Sequence, residues 1–344
     1  MKDRSDLQFL NITDPAWLEF SCRQIGTGPF QHPAWSETIA QSYQFLPFIA
    51  ALMDNQGGII CATPIMEVKG VLRGNRWISL PFSDYCAPCT TDPAALSYFS
   101  QQLIRVAARS SINTVEIRWQ MPDFYPVNGE FVLTSLSLDA GPDVVARKIK
   151  KVDFRNIRVA ETRGVRVSRE VSLTAVDTFY KLHSQNRHRL GIPVQPRRFF
   201  KSLYEKMIAK NLGAVWLAKK DGQAVGAVVE IHWNKQIIYK YAALTLEGRS
   251  LLAGDFILWK IISWGCSEGY SELNFGRSDI PDTGLRQYKR RWGGIEQPLA
   301  YSYSRPQGKT LDSGWLKSTA RFIFRHSPAW FGEAAGSVLY RYSA

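Results

Sequence analysis

Asn274-Phe275-Gly276-Arg277-Ser278-Asp279 is followed at a short distance by Gly284-Leu285-Arg286-Gln287-Tyr288-Lys289-Arg290-Arg291-Trp292-Gly293-Gly294. The first piece reads as a strand end that breaks at Gly276. A polar loop with Pro281 follows, then a short basic segment with two aromatics. Arg277, Ser278, Arg286, Lys289, Arg290 and Arg291 are all residue types that can bind an anion or polarise a carbonyl. This stretch decides the fold because it closes an order of elements that the chain runs through twice.

In the first pass, Asp14-Pro15 and His32-Pro33 open helices, with proline at the first helical position. Phe48 to Met53 and Ile59 to Val68 read as strands of a hairpin around Asp54-Asn55-Gln56-Gly57-Gly58. Trp77 to Leu80 is a third strand, ending in Pro81-Phe82-Ser83-Asp84-Tyr85. Asp92-Pro93 opens a helix with Leu96, Phe99, Leu103, Ile104 and Ala107 at helical spacing. Thr114 to Trp119 is a strand. The second pass has strands at Ala214 to Lys219, Ala224 to Trp233 and Ile237 to Ala243. A helix from about Leu251 to Glu268 and the strand Ser271 to Phe275 complete it. Gly58 answers Gly222 and Ser110 answers Glu268, an offset of about 160 residues that reads as an internal duplication. A generic recurrence of the same element order is the alternative. The expectation is an α/β (α+β) protein with domains at 1–146 and 147–304 and a tail at 305–344.

Arg147 to Arg169 carries nine basic residues against two acidic ones, so it attracts anions. Helices are expected over Val152 to Thr162, Ala175 to Leu190 and Pro196 to Asn211. The last two carry a second basic cluster with Arg187, Arg189, Arg197, Arg198 and Lys201. The tail interleaves Arg and Lys with Trp315, Leu316, Phe322, Ile323, Trp330 and Phe331. It suits a membrane interface or packing back onto the first domain.

The chain has 344 residues, a length that favours two cores, and a net charge of +13 that favours an anionic partner, with solubility alone as the alternative. The charged start Met1-Lys2-Asp3-Arg4 lacks a signal-peptide apolar stretch, and no apolar run is long enough to span a bilayer. Five cysteines suggest a reducing cytoplasm. Cys86-Ala87-Pro88-Cys89 lacks the second pair a zinc site needs and reads as loop cysteines, with a redox role as the alternative. His183 and His188 read as surface or anion-contacting histidines rather than metal ligands. No metal or tightly bound cofactor is expected.

No GxSxG, HExxH, Walker loop or GxGxxG is present. Reactions that need only positioning and charge stabilisation leave weak motifs. Attack of an amine or hydroxyl on an activated carbonyl is one such reaction. Lys289 then serves as an oxyanion or phosphate donor, or else belongs to a solvated face with Arg290 and Arg291. Tyr288 and Trp292 are positioned to stack on a base or aromatic group. Asp84 binds or deprotonates the acceptor, or else caps its turn.

Four stretches resemble the FemAB family and its BioF2-like acetyltransferase relatives. They are Leu80 to Tyr85, His183 to Pro193, Asn274 to Ser278 and Tyr288 to Gly293, and the resemblance spans roughly residues 30 to 305. It implies two tandem GNAT-like domains. It also implies acyl or aminoacyl transfer from acyl-CoA or aminoacyl-tRNA, as co-substrate, to an anionic envelope, peptidoglycan or exopolysaccharide precursor. By resemblance Lys289 supports the donor carbonyl beside Tyr288 and Trp292, while Asp84 and Arg187 fall in acceptor-binding regions. Arg189, Arg277, Ser278 and Arg286 complete the candidate substrate contacts. Ser250-Leu251-Leu252-Ala253-Gly254-Asp255 departs from the glycine-rich CoA turn of ordinary GNAT proteins, and no long helical hairpin is visible in the second domain. The expected partners are a sugar-nucleotide, lipid-linked or polysaccharide acceptor, with tRNA and an anionic membrane surface as further candidates. A cytoplasmic location, with peripheral contact at the inner membrane face, fits this reading. A non-catalytic GNAT-fold protein that binds nucleic acid or anionic membrane is the alternative.

Overall fold

The computed structural model describes residues 7–70, 74–306, 322 and 324–342. The N-terminal Met1 to Asp6, the tail residues Trp315, Leu316 and Ile323, and the side chains of Trp330 and Phe331 lie outside the described residues. The chain divides into two units. The first is Met1–Val132 with Gln297–Thr310 and Ala344, and the second is Leu133–Glu296 with Leu311–Ser343.

In the first unit the elements are β1 (Leu7–Leu10), α1 (Pro15–Arg23), α2 (Pro33–Tyr43), β2 (Leu46–Met53), β3 (Ile59–Val68), β4 (Arg76–Ile78), β5 (Cys89–Thr90), α3 (Ala95–Arg109) and β6 (Thr114–Ile117). Two long strands, β7 (Tyr125–Ser137) and β13 (Ile295–Tyr303), each have one end in this unit. The Asp14 carboxylate accepts from Ala16 N and caps α1, with Pro15 next in line. Asp54 accepts from Gln56 N and Gly58 N and closes the β2–β3 hairpin. Strand order is β1-β2-β3-β4-β6-β13, with β5 beside β3. The β4–β6 pair is parallel, as α3 between them requires. Strand β2 is apolar throughout because both faces are covered. Ala50 and Leu52 meet Phe99 and Leu103 of α3, while Ile49 and Ala51 meet Trp17 of α1.

The second unit holds α4 (Pro142–Lys148), α5 (Lys151–Thr162), β8 (Arg166–Glu170), α6 (Leu173–Leu190), α7 (Arg197–Lys206), β9 (Gly213–Lys220), β10 (Gln223–Trp233), β11 (Gln236–Leu244), α8 (Leu246–Ser250), α9 (Ala253–Ser267), β12 (Glu272–Asp279), α10 (Thr283–Arg291) and α11 (Ala329–Tyr342). Its strand order, β8-β9-β10-β11-β12 and then β7, repeats that of the first unit, with a parallel β11–β12 pair joined by α9. Helix α9 buries Phe256, Ile257, Leu258, Ile261 and Ile262 against Trp216, Val228, Ile237 and Leu273.

Two expectations change. Strand β12 does not stop at Gly276 but continues to Asp279, and Gly276 is a kink with φ 72 inside it. The basic segment after Pro281 is a regular helix, α10, capped by Asp282. The described part of the tail packs on α6 of its own unit, a contact that the sequence did not announce. The Arg187 guanidinium meets the Tyr340 hydroxyl, and a ring nitrogen of His188 lies 2.7 Å from Ser327 O. Gly336 crosses so close to Val194 that an added Cβ would lie 1.7 Å from its carbonyl oxygen. Among the described residues no helix is long and apolar enough to cross a membrane.

Candidate active site

Strands β11 and β12 pair over only three residues, Gln236↔Glu272, Ile237↔Leu273 and Ile238↔Asn274. Both then run on, β11 to Leu244 and β12 to Asp279. Two neighbouring strands that part inside a sheet present backbone N–H and C=O groups that want partners. An extended ligand lying along either one is bonded as a strand would be. Strand β11 also carries one extra residue. Val229 faces Tyr241 and Glu230 faces Tyr239, so Lys240 is bulged out. In a regular strand residues 239 and 241 share a face. Here Tyr239 packs with Phe275 on the α9 side, while Tyr241 joins Phe179, His183, Phe199 and Phe200 of α6 and α7.

At the end of β12, Gly276 N donates to Asn274 Oδ1 at 2.8 Å and the chain turns toward α10. Lys289 on α10 points back at the strand and is only 4% exposed. Its Nζ donates to Gly276 O at 2.8 Å and to Arg277 O at 3.1 Å. Gly294 lets the chain pass over this helix, since an added Cβ would sit 2.8 Å from Lys289 O. Ser278, two residues beyond Gly276, is buried, and its Oγ has no hydrogen-bond partner.

The other cations of the segment are engaged. Arg286 forks onto Glu296 at 3.1 and 2.8 Å and donates to Ile280 O. These bonds hold the Glu296 carboxyl below its ordinary range. Arg290 lies 3.9 Å from Glu296, and Arg291 forks onto the fully buried Asp153. The solvated face open to Lys289 through Arg291 is therefore not what forms. Nor do Tyr288 and Trp292 make a stacking platform. Trp292 is fully buried in the α9 core, and Tyr288 packs against that core. Burial first, then Tyr239 and Asp255, push the Tyr288 hydroxyl far above its usual range.

At the C-terminal end of α6, Arg187 donates to Pro193 O at 3.2 Å as well as meeting Tyr340. It braces the chain around it. Arg189 donates to Asn186 Oδ1, and Arg249 reaches the same oxygen at 3.4 Å. Desolvation, then Arg249, lower the Arg189 pKa, which marks a pair of cations that an anion would relieve. Arg189 borders a cleft of about 380 Å³ that is also lined by Asn186, Gln223, Thr245 and Glu247. Asn186 and Arg249 were not anticipated; a second arginine sixty residues away gives no local sign that it shares one amide oxygen. His183 is corrected as well. It is 6% exposed, stacks on Phe179 at 5.2 Å, and neither ring nitrogen has a hydrogen-bond partner. Burial, and then the nearby Arg187, lower its pKa to about 3, so it is neutral.

Asp84 belongs to the first unit. Its loop holds Leu80 at φ 59 and Phe82 at φ 65, left-handed conformations that bulky residues rarely adopt. The surroundings fix it. Trp35 Nε1 donates to Ser83 Oγ at 2.8 Å, Arg118 donates to Ser83 O at 2.8 Å, and the Tyr301 hydroxyl donates to Asp84 O at 2.7 Å. Strain held by so many bonds is a mark of functional loops. Close by, Cys86 and Cys89 are buried free thiols, and burial pushes Cys86 up to about 12. A thiol held protonated is not a redox nucleophile. Among the described residues no cluster of His, Cys, Asp and Glu is built to hold a metal ion.

Residues 147–290 match the acetyltransferase (GNAT) domain family model. No curated protein sequence matches the chain. The fold is similar to the crystal structure of FemX, with TM-score 0.69 and 13% identity over 91% of this chain and 100% of that one. It is similar to L-PGS from Bacillus licheniformis, with TM-score 0.56 and 12% identity over 92% and 97% of the two chains. A tandem GNAT protein from the clavulanic acid biosynthesis pathway aligns with TM-score 0.53 and 10% identity over 88% and 100%. The fold is thus similar to those of FemX and the tandem GNAT protein.

Proposed function

We propose that the protein moves an acyl or aminoacyl group from an activated donor, acyl-CoA or aminoacyl-tRNA, to an amine or hydroxyl. The acceptor is an anionic envelope, peptidoglycan or exopolysaccharide precursor. The observation that carries this reading is the parted β11–β12 pair, with the buried Lys289 ammonium fixed where β12 ends. The donor's acyl arm lies in the gap and takes backbone hydrogen bonds from the strand edges. The acceptor's lone pair attacks the carbonyl carbon, negative charge gathers on the carbonyl oxygen, and Lys289 stabilises it. Collapse breaks the bond to the thiolate or alkoxide leaving group, which takes up the proton that the acceptor gives up. Arg277 and Ser278 border the reacting end of β12. Tyr288, Trp292 and Arg286 act one step back, by holding α10 in place.

Helix α9 makes a poor seat for the donor's phosphates. Its N-cap, Leu252, offers no side-chain bond, and Asp255 already supplies a carboxyl to its first turn. Arg189 and Arg249 are the better-placed cations, and they take the donor's phosphate.

The test is a donor screen of CoA thioesters against charged tRNAs, with acceptor mass read by mass spectrometry. One donor class gives a mass increase with the native protein. Lys289→Ala lowers that rate by about 10²-fold or more while circular dichroism stays native. Full activity in Lys289→Ala overturns its assignment, and no mass increase with any donor overturns the transfer reading.

A further inference from the structure

Helix α6 has an outer face that the transfer reading does not use. Two cavities of about 450 and 440 Å³ run along it and share Asp177, Tyr180 and Arg197. The α6 residues that line them, 173, 176, 177, 180, 181, 184, 185 and 188, recur every three or four positions and so form one face. The floor is apolar, made by Val176, Tyr180 and Phe200. The opposite wall is the first turn of α7, which brings Arg198 and Lys201.

The charges of this groove do not cancel. Asp177 is taken by Arg197 at 2.7 Å, which leaves Arg198 and Lys201. Lys201 lies 3.8 Å from Glu205, an exposed pair of little strength. No side chain caps α7, whose N-cap is Pro196. Its first-turn N–H groups and dipole therefore favour an anion. A second observation is independent of that helix end. Tyr180 is 8% exposed, lines both cavities, and its hydroxyl makes no hydrogen bond of normal geometry; Ser184 Oγ, one turn on, interacts with it weakly and makes none of normal geometry either. Burial, and then Glu333, push the Tyr180 hydroxyl up to about 12, so it keeps its proton and can donate. Buried polar atoms left without a hydrogen bond of normal geometry call for an explanation, and a ligand supplies one.

We infer that this groove binds a phosphoryl group attached to an apolar body. The three outer oxygens of a phosphate monoester suit the three separate donors: the α7 end with Arg198, Lys201, and the Tyr180 hydroxyl. The apolar body lies on Val176 and Phe200. Glu333 lines the far cavity and disfavours a second negative charge there, so the ligand is anionic at one end only. A lipid headgroup and a soluble phosphate ester share this chemistry, and the test separates them.

Calorimetry on the full chain compares inorganic phosphate, phenyl phosphate and dihexanoyl phosphatidic acid below its micelle concentration. One of the two esters binds at least about tenfold more tightly than inorganic phosphate, and which one does so identifies the source as soluble or lipid. Arg198→Ala combined with Lys201→Ala, both on the surface, weakens that binding by about tenfold or more. Tyr180→Phe weakens it several-fold while thermal stability stays level or rises, since the variant removes a buried hydroxyl that makes no hydrogen bond of normal geometry. A merely structural Tyr180 would leave the affinity unchanged. The inference is overturned if neither ester outbinds inorganic phosphate, or if the double variant binds like the native protein. It stands or falls independently of any donor turnover.

Discussion

The two parallel strand pairs have the same topology and opposite fates. In the first unit β4 stops at Ile78, and the chain itself stitches the space beside β6. Ser79 N donates to Glu116 O at 2.8 Å, Arg118 N donates to Ser79 Oγ at 2.8 Å, and Cys86 N donates to Arg118 O at 3.1 Å. In the second unit β11 and β12 also separate after three pairs, but both continue as strands, and the Lys240 bulge turns Tyr241 away to the α6 side. One copy satisfies its backbone internally and the other keeps edges that a ligand can use. A duplicated fold thus separates into a braced half and a receptive half by the path each chain takes beyond its third ladder pair.

The strongest way to break this contrast is at Gly276. Its φ of 72 is a left-handed conformation that costs a side chain energy, and its carbonyl holds Lys289. Gly276→Ala is expected to cost about 1 kcal/mol of stability and to lower the transfer rate by about 10²-fold through misplacement of Lys289. A rate loss no larger than the fraction unfolded would refute the link. Next in size is His183, whose folded pKa near 3 lies below its unfolded value. As pH falls below about 6.5 the unfolded chain gains a proton that the folded one refuses, so stability drops from there toward pH 3. His183→Phe removes that loss, and urea titrations should show a gain of about 2 kcal/mol at pH 5 relative to the change at pH 8. An equal change at both pH values would contradict it. Third, Ser79→Ala takes an acceptor from Arg118 N and should cost about 1 kcal/mol with no change in donor KM; a raised KM would place the donor in the braced half. The smallest effect is expected at Ser278. Because its Oγ is buried without a partner, Ser278→Ala leaves melting temperature level or slightly higher while donor KM rises several-fold. An unchanged KM removes Ser278 from the donor contacts.

Much of this was legible in the sequence. The hairpins announced themselves through turn residues such as Asp54 and Gly222, and α3, α5 and α9 through their 3.6-residue spacing. Topology followed, because the same order of elements recurs. The long strands β7 and β13 went unread, since their pairing partners lie far along the chain and a local pattern cannot name them. Lys289 shows the other limit. In sequence it is one of three consecutive cations, yet a helix points its neighbours about 100° apart. One of the three therefore enters the protein, while its neighbours find Glu296 and Asp153. Tyr239 and Tyr241 read as one strand face until Lys240 is seen to be bulged.

Strand β13 carries a consequence for how the protein is made. Ser302 and Tyr303 pair with Ile117 and Glu116, and Ser304 Oγ accepts from Val115 N across 189 positions. At roughly 5–20 residues per second, the ribosome takes on the order of 10–40 s to deliver that strand after β6 has emerged. During that time the nascent first half displays an unsatisfied strand edge. A chain cut at residue 290, where the family match ends, would keep that edge open permanently, so the two halves reach their finished state together.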